Sequence, residues 1–176
     1  EIIAVKEIFN DLKREFLATG LAYEVKGYYL KKLEELVCPG GHVNKKFVGK
    51  NANYILQHIG IPNIPYEMRM IFAEVPEDHP FVQEELLMPV LGMVKADNVD
   101  HAIEIAYRVE HNFRHTAIMH SKNVANLTKM GRVMNCSIFV KNAPSVAGLG
   151  VEGEGYTTMT IASPTGEGIT TALTFT

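Results

Sequence analysis

A chain of 176 residues, 47% hydrophobic and 21% charged, has the length and balance of one ordinary globular domain with its own core. Its formal net charge of −3 offers no basic surface to nucleic acid, and no apolar run approaches the ~20 residues a membrane span needs. The opening stretch, EIIAVKEIFNDLKREF, mixes acids and bases into its apolar pattern and does not read as a signal peptide.

In chain order, a short apolar run at 2–5 leads into Val5, Ile8, Phe9, Leu12 and Phe16 at helical spacing, with Gly20 as the stop. A second helix is expected over 27–37, before Cys38-Pro39-Gly40-Gly41, and a third over 50–59, closed by Gly60. Ile61-Pro62-Asn63-Ile64-Pro65 reads as loop, because two prolines at that spacing suit neither a helix nor a central strand. The alternation then becomes clearer. Strands are expected over 70–75 and 89–94, an amphipathic helix over 99–109 with Ala102, Ile103, Ala106 and Val109 on one face, and a strand over 116–119. A helix over 123–130, stopped near Gly131, and a strand over 137–140 follow. Strands separated by helices of this length imply crossover units. The expected fold class is α/β, an open, mostly parallel sheet with helices on both faces. Residues 143–155, rich in Gly, Ser and Pro, read as a shaped loop; 156–161 and 169–175 alternate threonine with apolar residues as half-buried strands do, joined across 163–168. Glu1 opens directly into an apolar run and Thr176 ends inside a strand-like stretch, so both ends read as cut and a fragment is expected.

The two cysteines, Cys38 and Cys136, form no CxxC pair and no disulfide framework, and a reducing cytosol is the natural reading. Cys38 has no base beside it in sequence, and Cys136 enters an apolar strand, where a free cysteine behaves as a small hydrophobe. Of seven histidines, His111 and His115 stand four apart, as zinc ligands on a helix do, but no acidic third ligand follows and no metal is expected. His115 is placed where helix gives way to strand, on the C-terminal side of the sheet. Gly148, Gly150, Gly153 and Gly155 do not follow a Rossmann pattern of strand, GxGxxG and helix, no GK[ST] is present, and the run reads as a flexible active-site loop.

Glu84-Glu85-Leu86-Leu87-Met88-Pro89-Val90 places two acids before an apolar pair and a strand. It is followed by Glu110-His111-Asn112-Phe113-Arg114-His115-Thr116-Ala117, Met119-His120-Ser121, Asn142-Ala143-Pro144-Ser145 and Ser163-Pro164-Thr165-Gly166-Glu167-Gly168, and preceded by His79-Pro80-Phe81. In this order the motifs resemble the CoA-acylating aldehyde dehydrogenases, especially the propionaldehyde and acetaldehyde enzymes of bacterial microcompartments, over nearly the whole chain. The resemblance implies an oxidoreductase that converts a short-chain aldehyde, coenzyme A and NAD to acyl-CoA and NADH through a cysteine thioester. It assigns residues 1–176 to the catalytic, C-terminal domain, with the nucleotide-binding domain and the nucleophile upstream of Glu1. It further implies a cytoplasmic protein, with the interior of a microcompartment as one setting, that is homo-oligomeric when intact. Carried over, Glu85 accepts hydrogen bonds from the ribose of the nicotinamide nucleotide and Leu87 packs near the nicotinamide. A carboxylate suits that task because it only accepts and can take two hydroxyls at once. His115, in the HTA motif, is either the base that takes the proton from the CoA thiol or a histidine bonded to a loop carbonyl. Two other readings stay open: a binding or scaffold module without chemistry, and a relative that reduces an acyl phosphate.

Overall fold

The structure is a computed structural model that describes residues 1–150; the strands expected over 156–161 and 169–175 lie outside the described residues. The chain divides into two compact units, Glu1–Ile105 and Ala106–Thr176.

The first unit is built on β1 (Ile2–Val5), α1 (Lys6–Ala18), β2 (Ala22–Glu24), α2 (Gly27–Val37), α3 (Ala52–His58), β3 (Met70–Glu74), α4 (Pro80–Gln83) and β4 (Val90–Ala96). The four strands form one parallel sheet in the order β1-β4-β3-β2, with Ile2 opposite Met93, Ala22 opposite Met70 and Ile71 opposite Val90. The chain crosses from one edge strand to the other and then returns inward. With right-handed crossovers, that reversal puts α1 on one face and the later helices on the other. The side chains agree. Phe9, Leu12 and Phe16 of α1, at helical spacing, meet Ile2, Ala4, Ala22, Phe72 and Met93 of the strands. Gly92, one residue from Met93 and therefore on the opposite face, lies under α4. A Cβ built there would stand 2.6 Å from Val82 Cγ2 and 3.1 Å from the Phe81 carbonyl oxygen, so only glycine lets α4 come this close.

Ion pairs cover the C-terminal ends of three strands. Lys13 Nζ lies 2.5 Å from Glu24 Oε1 and 3.0 Å from Glu74 Oε2, Lys26 Nζ is 2.8 Å from Glu24 Oε2, and Lys95 Nζ is 3.1 Å from Glu74 Oε1. Lys95 also stands 4.5 Å over the Phe9 ring. Burial works against the charge on Glu24, but Lys13 and Lys26 outweigh it and hold its carboxyl below the ordinary value. The hydrogen bond from Lys13 leads the causes that do the same for Glu74.

The boundary between the units falls inside α5 (Val99–Val109). Beyond it come β5 (Thr116–Met119), α6 (Val124–Met134) and β6 (Ile138–Lys141), with β5 and β6 parallel and Thr116 opposite Ile138. Asn123 caps α6 with its side-chain oxygen, which accepts from Ala125 N at 2.9 Å and Asn126 N at 3.3 Å. Gly131 does not end this helix. It sits inside α6, where a Cβ would lie 3.0 Å from the Phe139 ring, so it is a close-approach glycine. The stop is Asn135, left-handed at φ 45°. The predicted amphipathic helix over 99–109 matches α5 residue for residue. β2 and α4, three and four residues long, were not anticipated; neither is long enough to show a period.

Candidate functional site

Glu85 and Leu87 lie on the segment between α4 and β4, at the N-terminal edge of the four-stranded sheet. Glu84 ends α4, Leu86 is buried at 5% exposure, and Leu87, at 61%, faces outward. Glu85 is exposed, and its side chain makes no hydrogen bond or ion pair among the described residues. A carboxylate presented without a partner keeps all its lone pairs for an incoming donor.

Leu87 adopts φ +54°, a left-handed conformation that costs a residue with a branched side chain about 1–3 kcal/mol. Its surroundings hold it there. The Leu87 carbonyl accepts from Gly49 N–H at 3.0 Å, Val90 N–H reaches the Met88 carbonyl at 2.8 Å, and Ile71 N–H of β3 takes the Pro89 carbonyl at 2.8 Å. Gly49 is itself at φ +70°, so a side chain there would be strained. A cavity of about 420 Å³ opens beside Leu87, with Lys50, Asn51, Met68, Arg69 and Met88 among its walls. Lys50 and Arg69 have no carboxylate partner among the described residues. Gly49, Lys50 and Arg69 carry no motif that sequence reading could have used.

His115 belongs to the second unit and corrects the expectation made for it. α5 has already ended at Val109, and His115 immediately precedes β5, so it stands at the N-terminal end of that strand, not the C-terminal one. A residue entering a strand can be nowhere else. The intervening loop carries His111, Asn112 and Arg114 at positive φ, so His111 and His115 do not share a helix. Among the described residues no group of three potential ligands is placed to hold a metal ion. The His115 backbone is fixed at both sides: its N–H donates to Glu110 Oε1 at 3.2 Å and its carbonyl accepts from Ile138 N–H at 3.2 Å. Its Nδ1 lies 2.7 Å from Thr116 Oγ1. The ring is bonded to a neighbouring hydroxyl and not to a loop carbonyl, and Nε2 makes no hydrogen bond among the described residues.

Two other motifs meet at the far end of β5 and β6. Asn142, at φ +54°, accepts Ser121 N–H at 2.8 Å and donates Nδ2–H to the Ser121 carbonyl at 3.0 Å, closing the strands like an extra rung. Cys38 and Cys136 are 1% and 9% exposed, and burial is the first cause pushing both thiols above their usual value. A buried thiol that resists ionisation is a packing group, not a nucleophile. Of the Gly148–Gly155 run, residues 148–150 close a 3₁₀ turn (Ser145–Leu149) and the rest lies outside the described residues.

Residues 66–159 match the aldehyde dehydrogenase family. The acetaldehyde dehydrogenase (acetylating) EutE of Salmonella typhimurium is 45% identical over 99% of this chain and 38% of its own length. The CoA-propanoylating propanal dehydrogenase of Citrobacter freundii is 42% identical over the same shares. Among solved structures, the Rhodopseudomonas palustris propionaldehyde dehydrogenase with bound CoA and an acylated cysteine is 50% identical, with a TM-score of 0.91 over 99% of this chain and 40% of that one. The propionaldehyde dehydrogenase of the Clostridium phytofermentans fucose-utilisation microcompartment is 42% identical, with a TM-score of 0.90 over 98% of this chain and 40% of that one. The chain thus spans about 38% of the length of the curated relatives it matches. By its sequence, its parallel sheet and its match across residues 66–159, the chain belongs to the aldehyde dehydrogenase family.

Proposed function

We propose that these residues are part of the catalytic domain of a CoA-acylating aldehyde dehydrogenase, which converts a short-chain aldehyde, CoA and NAD to acyl-CoA and NADH. The observation that carries this reading is the 42–50% identity to propionaldehyde and acetaldehyde dehydrogenases of the acylating kind, sustained over 98–99% of the chain. The Clostridium phytofermentans relative, which is from a microcompartment, supports that setting for the intact enzyme.

Placement supports the following roles. NAD, when bound, supplies the hydride acceptor. Glu85, exposed and without a partner among the described residues, accepts from the hydroxyls of its nicotinamide ribose, while Leu87, held outward by its left-handed backbone, offers an apolar contact to the ring. Lys50 and Arg69 add positive charge beside Leu87, which suits an anionic nucleotide. His115 is the base for the CoA thiol. For that task Nδ1–H must donate to Thr116 Oγ1, leaving the Nε2 lone pair to take the proton. The thiol that attacks the aldehyde comes from outside these residues, because both cysteines here are buried.

The test is the identity of the acyl acceptor. Incubate the full-length enzyme with propionaldehyde and NAD, add either CoA or inorganic phosphate, and analyse the products by mass spectrometry. Propionyl-CoA with the first and no acyl phosphate with the second is the expected result. Acyl phosphate formation, or no NADH with either acceptor, would overturn the proposal.

A further inference from the structure

Glu85 is aimed by more than its own loop. It is the second residue after α4, so the direction in which it leaves is the direction in which α4 ends. A helix of four residues has too few hydrogen bonds to persist alone. What fixes it is His79. Its Nδ1 accepts from Phe81 N–H at 3.1 Å, and its carbonyl accepts from Val82 N–H at 2.8 Å and Gln83 N–H at 3.2 Å. A ring nitrogen that accepts from an N–H carries no proton, so the proton of the neutral ring is on Nε2. Nε2 faces Glu34 Oε2 of α2 at 3.4 Å. The His79 side chain is 12% exposed; burial lowers its pKa against the opposing carboxylates of Glu34 and Asp78, which keeps the accepting tautomer in place near neutral pH.

The ring stands edge-on to Phe81, with centroids 4.7 Å apart, while α4 presses from its other side onto bare Gly92. The thiol of Cys38, at the C-terminal end of α2, is pushed up by burial and then by the carboxylates of both Glu84 and Glu34. The acidic turn therefore lies within electrostatic reach of the end of α2.

We infer that His79, braced by Glu34, is a positioning residue for Glu85: it caps α4 and so sets the angle at which the Glu84-Glu85 turn presents its carboxylate. The inference rests on the reading of Glu85 as the acceptor for the nucleotide ribose. It joins α2 to a nucleotide contact through a side chain whose own bonds go to Glu34 and the start of α4.

The test is made in the full-length enzyme with His79→Ala, His79→Asn, Glu85→Gln and the double variant His79→Ala/Glu85→Gln, each checked for folding by circular dichroism. Asparagine restores a cap acceptor but does not reach Glu34. His79→Ala should raise the apparent KM for NAD roughly three- to tenfold, as loss of part of one charge-assisted hydrogen bond would, with the KM for CoA unchanged. His79→Asn should recover part of the loss. The double variant should be no worse than the poorer single one, because both act through one carboxylate. An unaltered KM for NAD in folded His79→Ala overturns the inference, and so do additive effects; should the alanine variant not fold, Glu34→Ala, which removes the brace from the His79 ring, should raise the KM for NAD, and an unaltered KM there overturns it. An unaltered KM in Glu85→Gln overturns the reading of Glu85 itself and the inference with it.

Discussion

His115 shows how much one hydrogen bond decides. Its Nδ1 and Thr116 Oγ1, 2.7 Å apart, share one proton-bearing contact, and the direction of donation determines whether Nε2 is a donor or a base. In the proposed reaction only acyl transfer to CoA needs a base for an incoming thiol. In the full-length enzyme, His115→Ala should therefore slow acyl transfer to CoA by on the order of 10²–10⁴-fold while leaving the burst of NADH nearly intact. Single-turnover kinetics that follow NADH and acyl-CoA separately will show it. Equal losses in both steps, or an unchanged acyl-transfer rate, would remove His115 as the base. The motifs singled out Glu85, Leu87 and His115 as candidates, because each sits in an unbroken run of residues. They could not show that Leu87 is left-handed. Neither glycine nor asparagine marks the spot, and the conformation is imposed by Gly49, 38 positions earlier, through its N–H. Glu34 and His79 meet across 45 positions, and nothing in either neighbourhood points to the other.

Among the elements, α1 is tied to β2, β3 and β4 through Lys13 and its partners, and this arrangement has a pH signature. Glu24 and Glu74 titrate below the ordinary glutamate value of 4.5 in the folded chain. Their contribution to stability is complete above that value and is lost as pH falls through the lowered ones. Lys13, raised above 10.5, contributes below that value and loses its contribution as pH rises through its own. Lys13→Met should destabilise the protein at pH 7 by about 1–3 kcal/mol, because it leaves the nearly buried Glu24 carboxylate with Lys26 alone. It should also flatten the loss of stability between pH 5 and 3, on the order of the window where carboxylates titrate. Urea midpoints of both proteins across that range are the measurement; parallel curves would sink the idea. The elements the sequence showed best, α2 and α5, are eleven residues each and carry three helical turns of periodicity. β2 and α4 were hidden by shortness, and Gly131 misled because a glycine needed for the approach of Phe139 looks the same in sequence as one that ends a helix.

For the chain as a whole, the buried state of both thiols leads to a plain expectation. These 176 residues, incubated alone with propionaldehyde, NAD and CoA, should produce no NADH above a protein-free control, and absorbance at the reduced-cofactor band checks it. Turnover would mean that a group other than a free surface thiol starts the reaction. The two ends of the four-stranded sheet also differ in kind. At one end of β4, Glu85 has no partner among the described residues and Leu87 is strained; at the other, some 17 Å away by strand rise, Lys95 and Glu74 belong to a set of paired charges. Residues that serve ligands ordinarily tax stability, and improving one tends to degrade the other. On the proposed reading of Glu85 and Leu87, the two demands fall on opposite ends of the same strands. Substitutions that retune their end for a different nucleotide can then accumulate while the paired end keeps the sheet assembled, so this scaffold can change its cofactor preference without first acquiring spare stability elsewhere.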